Sequence, residues 1–241
     1  MLGQVKVEDK SNEITAIPEL LRVLYLKGCI VTIDARGCQK DIAAQIADKE
    51  ADYVLALKAN HATAHEEIKE FFADAVIPCA TQPAKTVTHG TMDFFQTLEK
   101  NHGRIETRRY WQSTDIQWFE DKKLWKHLRS VGMVESIRRI KGKNSIERRY
   151  YLSSLPLDAK TFATAVRGHW GVENPLHWTL DVTFGEDQSR ARTKHAAQNL
   201  ATLRRIALNL IKKNPREKVS QRQKRILAAL DNRFLEELLG I

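Results

Sequence analysis

The chain has 241 residues, 42% hydrophobic and 29% charged, with 11 Gly and 6 Pro. That composition excludes collagen-like, low-complexity and wholly disordered classes, and the length allows one large domain, or one with an inserted piece, around a sizeable core. The net charge is +9, unevenly spread: residues 1–100 hold 11 basic and 15 acidic side chains, net −4, and residues 101–241 hold 28 and 15, net +13.

Val5 and Val7 alternate with polar neighbours as in a strand, and Ile14, Ile17, Leu20, Leu21 and Leu24 recur at helical spacing, with Pro18 placed early where a helix tolerates it. The β-branched run 30–33 predicts a second strand, followed by Asp34, a turn at Gly37, and a helix whose face carries Ile42, Ala43, Ile46 and Ala47. Residues 53–57 predict a third strand. Thr63 and Glu66 have the spacing of a capping box opening a helix through Phe71 and Phe72. This alternation predicts α/β layering, with buried strands and helices packed outside.

After Pro83 the signals are mostly strands, at 86–88, 104–107, 134–137 and 148–152, punctuated by Gly90, Gly103, Gly132 and Gly142. Helix returns at Asp158, an N-cap after Pro156, and continues through Phe162, Ala165 and Val166. Farther on, Leu200, Leu203, Ala207 and Leu210 define one apolar helix face, with Arg204, Arg205, Lys212 and Lys213 on the other sides. Between Lys212 and Arg225 seven basic residues face one acid, Glu217. These could track phosphates, or simply keep a tail soluble. The organisation expected is therefore a first core segment 1–83, a β-rich insertion 84–155, a helix completing the core at 156–194, and a basic helical tail 195–241.

No apolar run approaches the roughly 20 residues needed to cross a bilayer, and the opening MLGQVKVEDKSNE lacks a secretory pattern, so no membrane association and a cytoplasmic address are expected. Cys29, Cys38 and Cys79 are odd in number and lack C-x-x-C spacing; they read as buried thiols. The chemistry concentrates in RGHWGVENPLHWTLDVTFGED, where His169, Glu173, His177 and Asp181 recur four apart beside Trp170 and Trp178. A zinc site, a magnesium-holding carboxylate shared with neighbouring strands, and a surface stripe of i, i+4 pairs all remain open. Pro175 predicts a kink or a fresh helix start near Asn174. Asp34 is the natural second acid, because ligands gather at strand ends in open α/β sheets; a turn or helix-capping Asp is the plainer role.

The pieces GCIVTIDARGCQKDIAAQI, DYVLALKANH, HGRIETRRYW, RGHWGVENPLHWTLDVTFGED and HAAQNLATLRRIALNLIKK resemble the H-repeat-associated insertion-sequence transposases across nearly the whole chain. The resemblance implies a ribonuclease H-like core with a β insert and a DDE triad, two Asp and one Glu, holding magnesium or manganese for DNA strand cleavage and transfer at element ends. By residue matching, Asp34 falls on the second acid and Glu173 on the third, with Arg167, His169, Trp170, Asn174, His177 and Asp181 supporting the site. Asp34 and Glu173 are then expected to approach closely enough to share a cation. The first acid, in an Asp-Gly-Lys segment of relatives, has no counterpart here; Asp9 lies in no equivalent motif, and Arg36 and Pro175 also depart from the pattern. The resemblance thus predicts a truncated element copy with an incomplete site and little strand-transfer activity. DNA is the expected partner of Arg204, Arg205, Lys212 and Lys213. The chain could also form a homodimer or pair with intact transposase, and its role could be that of a non-catalytic DNA-binding remnant or inhibitor.

Overall fold

The computed structural model describes residues 13–76, 90–101, 104–140, 142–172, 176–191, 193–216 and 218–241. The chain divides into two compact units, 2–169 and 170–241.

Among the described residues the first unit is built on a six-stranded mixed sheet: β1 (Ile30–Ile33), β2 (Asp52–Leu57), β3 (Met92–Asn101), β4 (Arg104–Ser113), β5 (Ser130–Ile140) and β6 (Lys143–Ser153), ordered β1-β2-β6-β5-β4-β3. β1 and β2 run parallel with Ile33 opposite Leu55, and the other pairings are antiparallel. Among the described residues the helices of this unit are α1 (Glu13–Val23), α2 (Lys40–Asp48), α3 (Ala62–Val76) and, as far as His169, α4 (Ala159–Val172). α2 buries Ile42, Ala43, Ile46 and Ala47, the face its spacing predicts, and provides the crossover that parallel strands need.

Alternation sorts the two sheet faces. On one face Phe94, Trp111, Met133 and Tyr150 lie opposite one another across β3, β4, β5 and β6. They join Leu55, Leu57 and Leu152, with Ile42 and Ile46 of α2 and Ile68 and Phe72 of α3, in one apolar core. The next row on that face is Gln96, Arg109, Glu135 and Arg148, where Glu135 takes Arg109 at 3.4 Å and Arg148 at 2.8 Å. The core stops at this polar row. On the opposite face α4 lays Phe162 against Gly132, edge-on to Tyr151 at 5.5 Å. A Cβ at Gly132 would stand 2.4 Å from the Phe162 ring, so a side chain there would force helix or sheet to shift.

The sheet itself caps α4. Asp158 accepts from the Lys160 and Thr161 amides at 3.0 Å each, Ala159 N donates to Asp93 at 2.8 Å, and Asp158 N donates to Gln112 at 2.8 Å. These bonds satisfy amides that a helix start leaves without intrahelical partners. Thr161 also holds the Asp158 carboxyl below the usual carboxylate range, by its hydroxyl first and its amide second.

Several expectations change. The strand signals at Val5–Val7 and 86–88, and Cys79, lie outside the described residues. Gly132 sits inside β5 rather than between strands, while Gly90 and Gly142 do occupy positive-φ turns. α3 begins at Ala62, after a 3-10 turn Ala59–His61, so Thr63 lies within the helix and Glu66 pairs with Lys69 at 2.7 Å instead of closing a capping box. β1 is half exposed, because among the described residues it pairs only with β2. Cys38 is buried but Cys29 is exposed, and both thiols are free.

Among the described residues the second unit holds a π-helical turn (Thr179–Thr183) and three helices, α5 (Ala196–Lys213), α6 (Gln221–Leu230) and α7 (Asn232–Leu239). Ser220 and Gln223 form a capping box on α6, and Asp231 caps α7. Leu208, Ile211 and Phe234 are buried, whereas Leu203 is 60% exposed. The inward face of α5 is therefore that of Leu208 and Ile211, not that of Leu200, Leu203, Ala207 and Leu210. Apolar residues surround this helix on two sides, and periodicity alone does not choose between them.

Candidate active site

Parallel pairing sets the C-terminal ends of β1 and β2 side by side, the position where open α/β sheets bind ligands. Asp34 follows β1 directly. Its Oδ1 accepts from the amides of Arg36 at 3.1 Å and Gly37 at 3.3 Å, while Oδ2 takes no hydrogen bond among the described residues. Gly37 is required in this turn, since a Cβ would stand 2.3 Å from Ile33 Cγ2 and 2.7 Å from Ile17 Cδ1. Cys38 is buried beneath the loop, and burial first, then the Asp34 charge, pushes its thiol up to about 12.

The loop after β2 grips the loop after β1. Asn60 Nδ2 donates to the Ala35 carbonyl at 2.7 Å, and His61 Nε2 meets the Cys38 carbonyl at 2.6 Å while its ring stands edge-on to Trp125 at 5.5 Å. Thr32, two residues before Asp34 and so on the same side of β1, meets His169 Nδ1 through Oγ1 at 3.3 Å. His169 thus ties α4 to β1. Arg167, in the same helix, bonds Glu99 of β3 at 3.0 Å.

Of the residues the sequence singles out, the structure brings His169 to the strand that carries Asp34. Glu173 and Asn174 lie outside the described residues, and with them the expected approach of Glu173 to Asp34. Trp170, His177 and Asp181 belong to the second unit, where His177 is exposed and Asp181 sits in the π-helical turn. Asn60 and His61 escape a sequence reading. Their signal is the position of KANH immediately after a strand, inside a segment that carries the family resemblance.

The basic candidates divide. Lys212 and Lys213 are exposed in the last turn of α5, Arg204 is half-buried, and Arg205 holds Glu186 at 3.4 Å and the Ala201 carbonyl at 3.0 Å. Three of the seven basic residues from Lys212 to Arg225 have internal duties. Buried Lys224 donates to the Asn214 carbonyl at 2.8 Å, Arg216 lies over Phe234 and pairs with Glu237 at 2.6 Å, and Arg225 bonds the Thr183 carbonyl.

Residues 1–210 match the transposase DDE domain family. The chain belongs to that family. It is 44% identical over 244 residues to "Putative transposase YncI" of Escherichia coli O157:H7, covering all of this chain and 60% of that protein. It is 38% identical over 245 residues to "H repeat-associated putative transposase YhhI" of Escherichia coli strain K12, covering all of this chain and 62% of that protein. This DDE domain chain therefore spans about 60% of the length of these curated relatives. No solved structure matches it. Among the described residues, no helix is long and apolar enough to cross a membrane.

DDE transposases as a family use divalent metal ions. Among the described residues no three His, Cys, Asp or Glu side chains group to hold one. Asp34 Oδ2 is nevertheless a suitable donor: a hard oxygen on a carboxylate whose other oxygen is fixed by backbone amides, the type that magnesium and manganese take.

Proposed function

We propose that this chain acts in DNA transposition, in a metal-dependent cleavage and transfer of strands at the ends of an insertion element, on a ribonuclease H-like core. The observation that carries the proposal is Asp34, held at the C-terminal end of a parallel strand with one carboxylate oxygen locked and the other taking no hydrogen bond among the described residues. Asp34 and Glu173 serve as metal carboxylates. The cation, when bound, polarises the phosphate and stabilises charge on the attacking and leaving oxygens. In cleavage a water oxygen bonds to phosphorus as the P–O3′ bond breaks, leaving a 3′-hydroxyl and a 5′-phosphate. In transfer the oxygen of that 3′-hydroxyl bonds to a phosphorus of the target as the target's own P–O3′ bond breaks, which joins the element end to the target and leaves a target 3′-hydroxyl. The chain's own contribution is to fix Asp34 through the Arg36 and Gly37 amides, with His169 set beside the strand by Thr32.

Asp34 and Glu173 supply two acids where the resemblance implies three, so the proposal includes weak metal binding and little strand transfer by this chain alone. Magnesium demands near-octahedral oxygen coordination and dehydrates reluctantly. Nicking of supercoiled plasmid carrying an element end, with Mg²⁺ or Mn²⁺, is the test. Fusing the chain to the remaining segment of a full-length relative should raise nicking by orders of magnitude, and Asp34→Asn or Glu173→Gln in the fusion should abolish it. Nicking that survives both substitutions would remove these acids from the mechanism. Tight DNA binding without nicking in the fusion would favour a binding-only role.

A further inference from the structure

We infer that Asn60 is a positioning residue for Asp34 and acts through a single peptide group, an inference that rests on Asp34 being a metal carboxylate. The peptide joining Ala35 to Arg36 is held on both sides. Its carbonyl accepts from Asn60 Nδ2 at 2.7 Å, and its N–H donates to Asp34 Oδ1 at 3.1 Å. A trans peptide is planar, with its C=O and N–H pointing opposite ways, so fixing the carbonyl fixes the direction of the amide. Asn60 thereby chooses which way the Arg36 N–H faces, and that N–H chooses which oxygen of Asp34 is consumed within the loop.

The alternative arrangement is unfavourable only while Asn60 is present. Ala35 is a buried residue whose carbonyl otherwise has the Cys38 amide at 3.4 Å, a long bond. Without the Asn60 amide, rotation of this peptide would turn its carbonyl toward the Asp34 carboxylate and its N–H away. Oδ1 would lose a donor and gain a repelling oxygen. The bond to the carbonyl also polarises the group and strengthens the N–H as a donor. His61 repeats the arrangement one step along by fixing the Cys38 carbonyl, so both ends of the loop hang from the turn Ala59–His61. Because β1 and β2 are paired in register, the sheet sets the distance between the two loops.

Mn²⁺ affinity of the full chain, measured by titration calorimetry in a double-mutant cycle, tests this. Asn60→Ala should weaken Mn²⁺ binding by tenfold or more, as outer partners of metal ligands do, and should add less than twofold once Asp34→Ala is present. Equal weakening in both backgrounds would make Asn60 merely structural and overturn the inference. So would an Asp34→Ala loss that Asn60→Ala does not share. If Asp34→Ala leaves Mn²⁺ binding unchanged, the reading of Asp34 itself fails and the inference falls with it. A metal-free readout stands beside the cycle: in the nuclear magnetic resonance spectrum, Asn60→Ala should move the Arg36 amide proton upfield and speed its exchange. An unmoved Arg36 resonance would refute the linkage whatever the metal does.

Discussion

Gly132→Ala adds one methyl group where α4 crosses the sheet. The new Cβ would lie 2.4, 2.8 and 2.9 Å from three carbons of the Phe162 ring, against about 3.5–4.0 Å for relaxed carbon contacts. Helix or sheet must therefore move by roughly 1 Å. The ring cannot slide sideways cheaply, because Tyr151 meets it edge-on at 5.5 Å and Asp93 and Gln112 pin the start of α4 at 2.8 Å each. Overpacking of this kind costs about 1–3 kcal/mol. Urea denaturation followed by tryptophan fluorescence should show a lower midpoint with an unchanged m-value. Phe162→Leu, which removes the clashing atoms, should make the double variant more stable than the sum of the two single losses predicts, by at least about 0.5 kcal/mol. A Gly132→Ala protein within about 0.5 kcal/mol of the parent, or strict additivity, would refute the packing argument.

Three further outcomes follow from the same structure. Asp158→Ala should cost about 1 kcal/mol at neutral pH by removing the α4 cap. Because hydrogen bonds lower the Asp158 pKa on folding, this contribution is present above the ordinary Asp value of about 3.9 and is lost as pH falls through the depressed folded value; denaturation at pH 6 and pH 3 should show the gap closing. Lys224→Ala should cost about 1–3 kcal/mol by stranding the carbonyl that ends α5, with no specific loss of DNA affinity; stability unchanged and DNA binding weakened would reverse that assignment. Replacing Lys212, Lys213, Lys218 and Arg222 together by Gln should flatten the dependence of log affinity on log salt by up to about 0.9 per lost phosphate contact. An unchanged slope in fluorescence anisotropy would move the DNA surface elsewhere, with the Arg-rich strands β4 to β6 the next place to examine.

The sequence carries local structure where one force dominates. The buried face of α2 and the Asp158 cap are legible because periodicity and capping each act within a few residues. β3 is not, since Phe94 and Phe95 are adjacent and Leu98 is exposed; its strand character comes from ten residues paired with β4. Gly132 looks like punctuation in one dimension and becomes a contact surface only when Phe162 arrives from 30 residues away. Lys224 counts as surface charge by composition, yet its ammonium closes the end of α5. At the candidate site, Asp34 is legible as the acid at the end of a strand. Asn60 is not, because its role exists only through the register of two parallel strands.

The central claim is that Asp34 holds a catalytic cation, and mapping that cation on the polypeptide is its most direct test. Fe²⁺ substituted for magnesium generates radicals that cut the backbone beside the metal, and mass spectrometry locates the cuts. The account predicts cleavage beside Asp34 and beside Glu173, suppressed by excess Mg²⁺ and lost in Asp34→Ala. Cuts confined to other segments, or undiminished cleavage in Asp34→Ala, would contradict it.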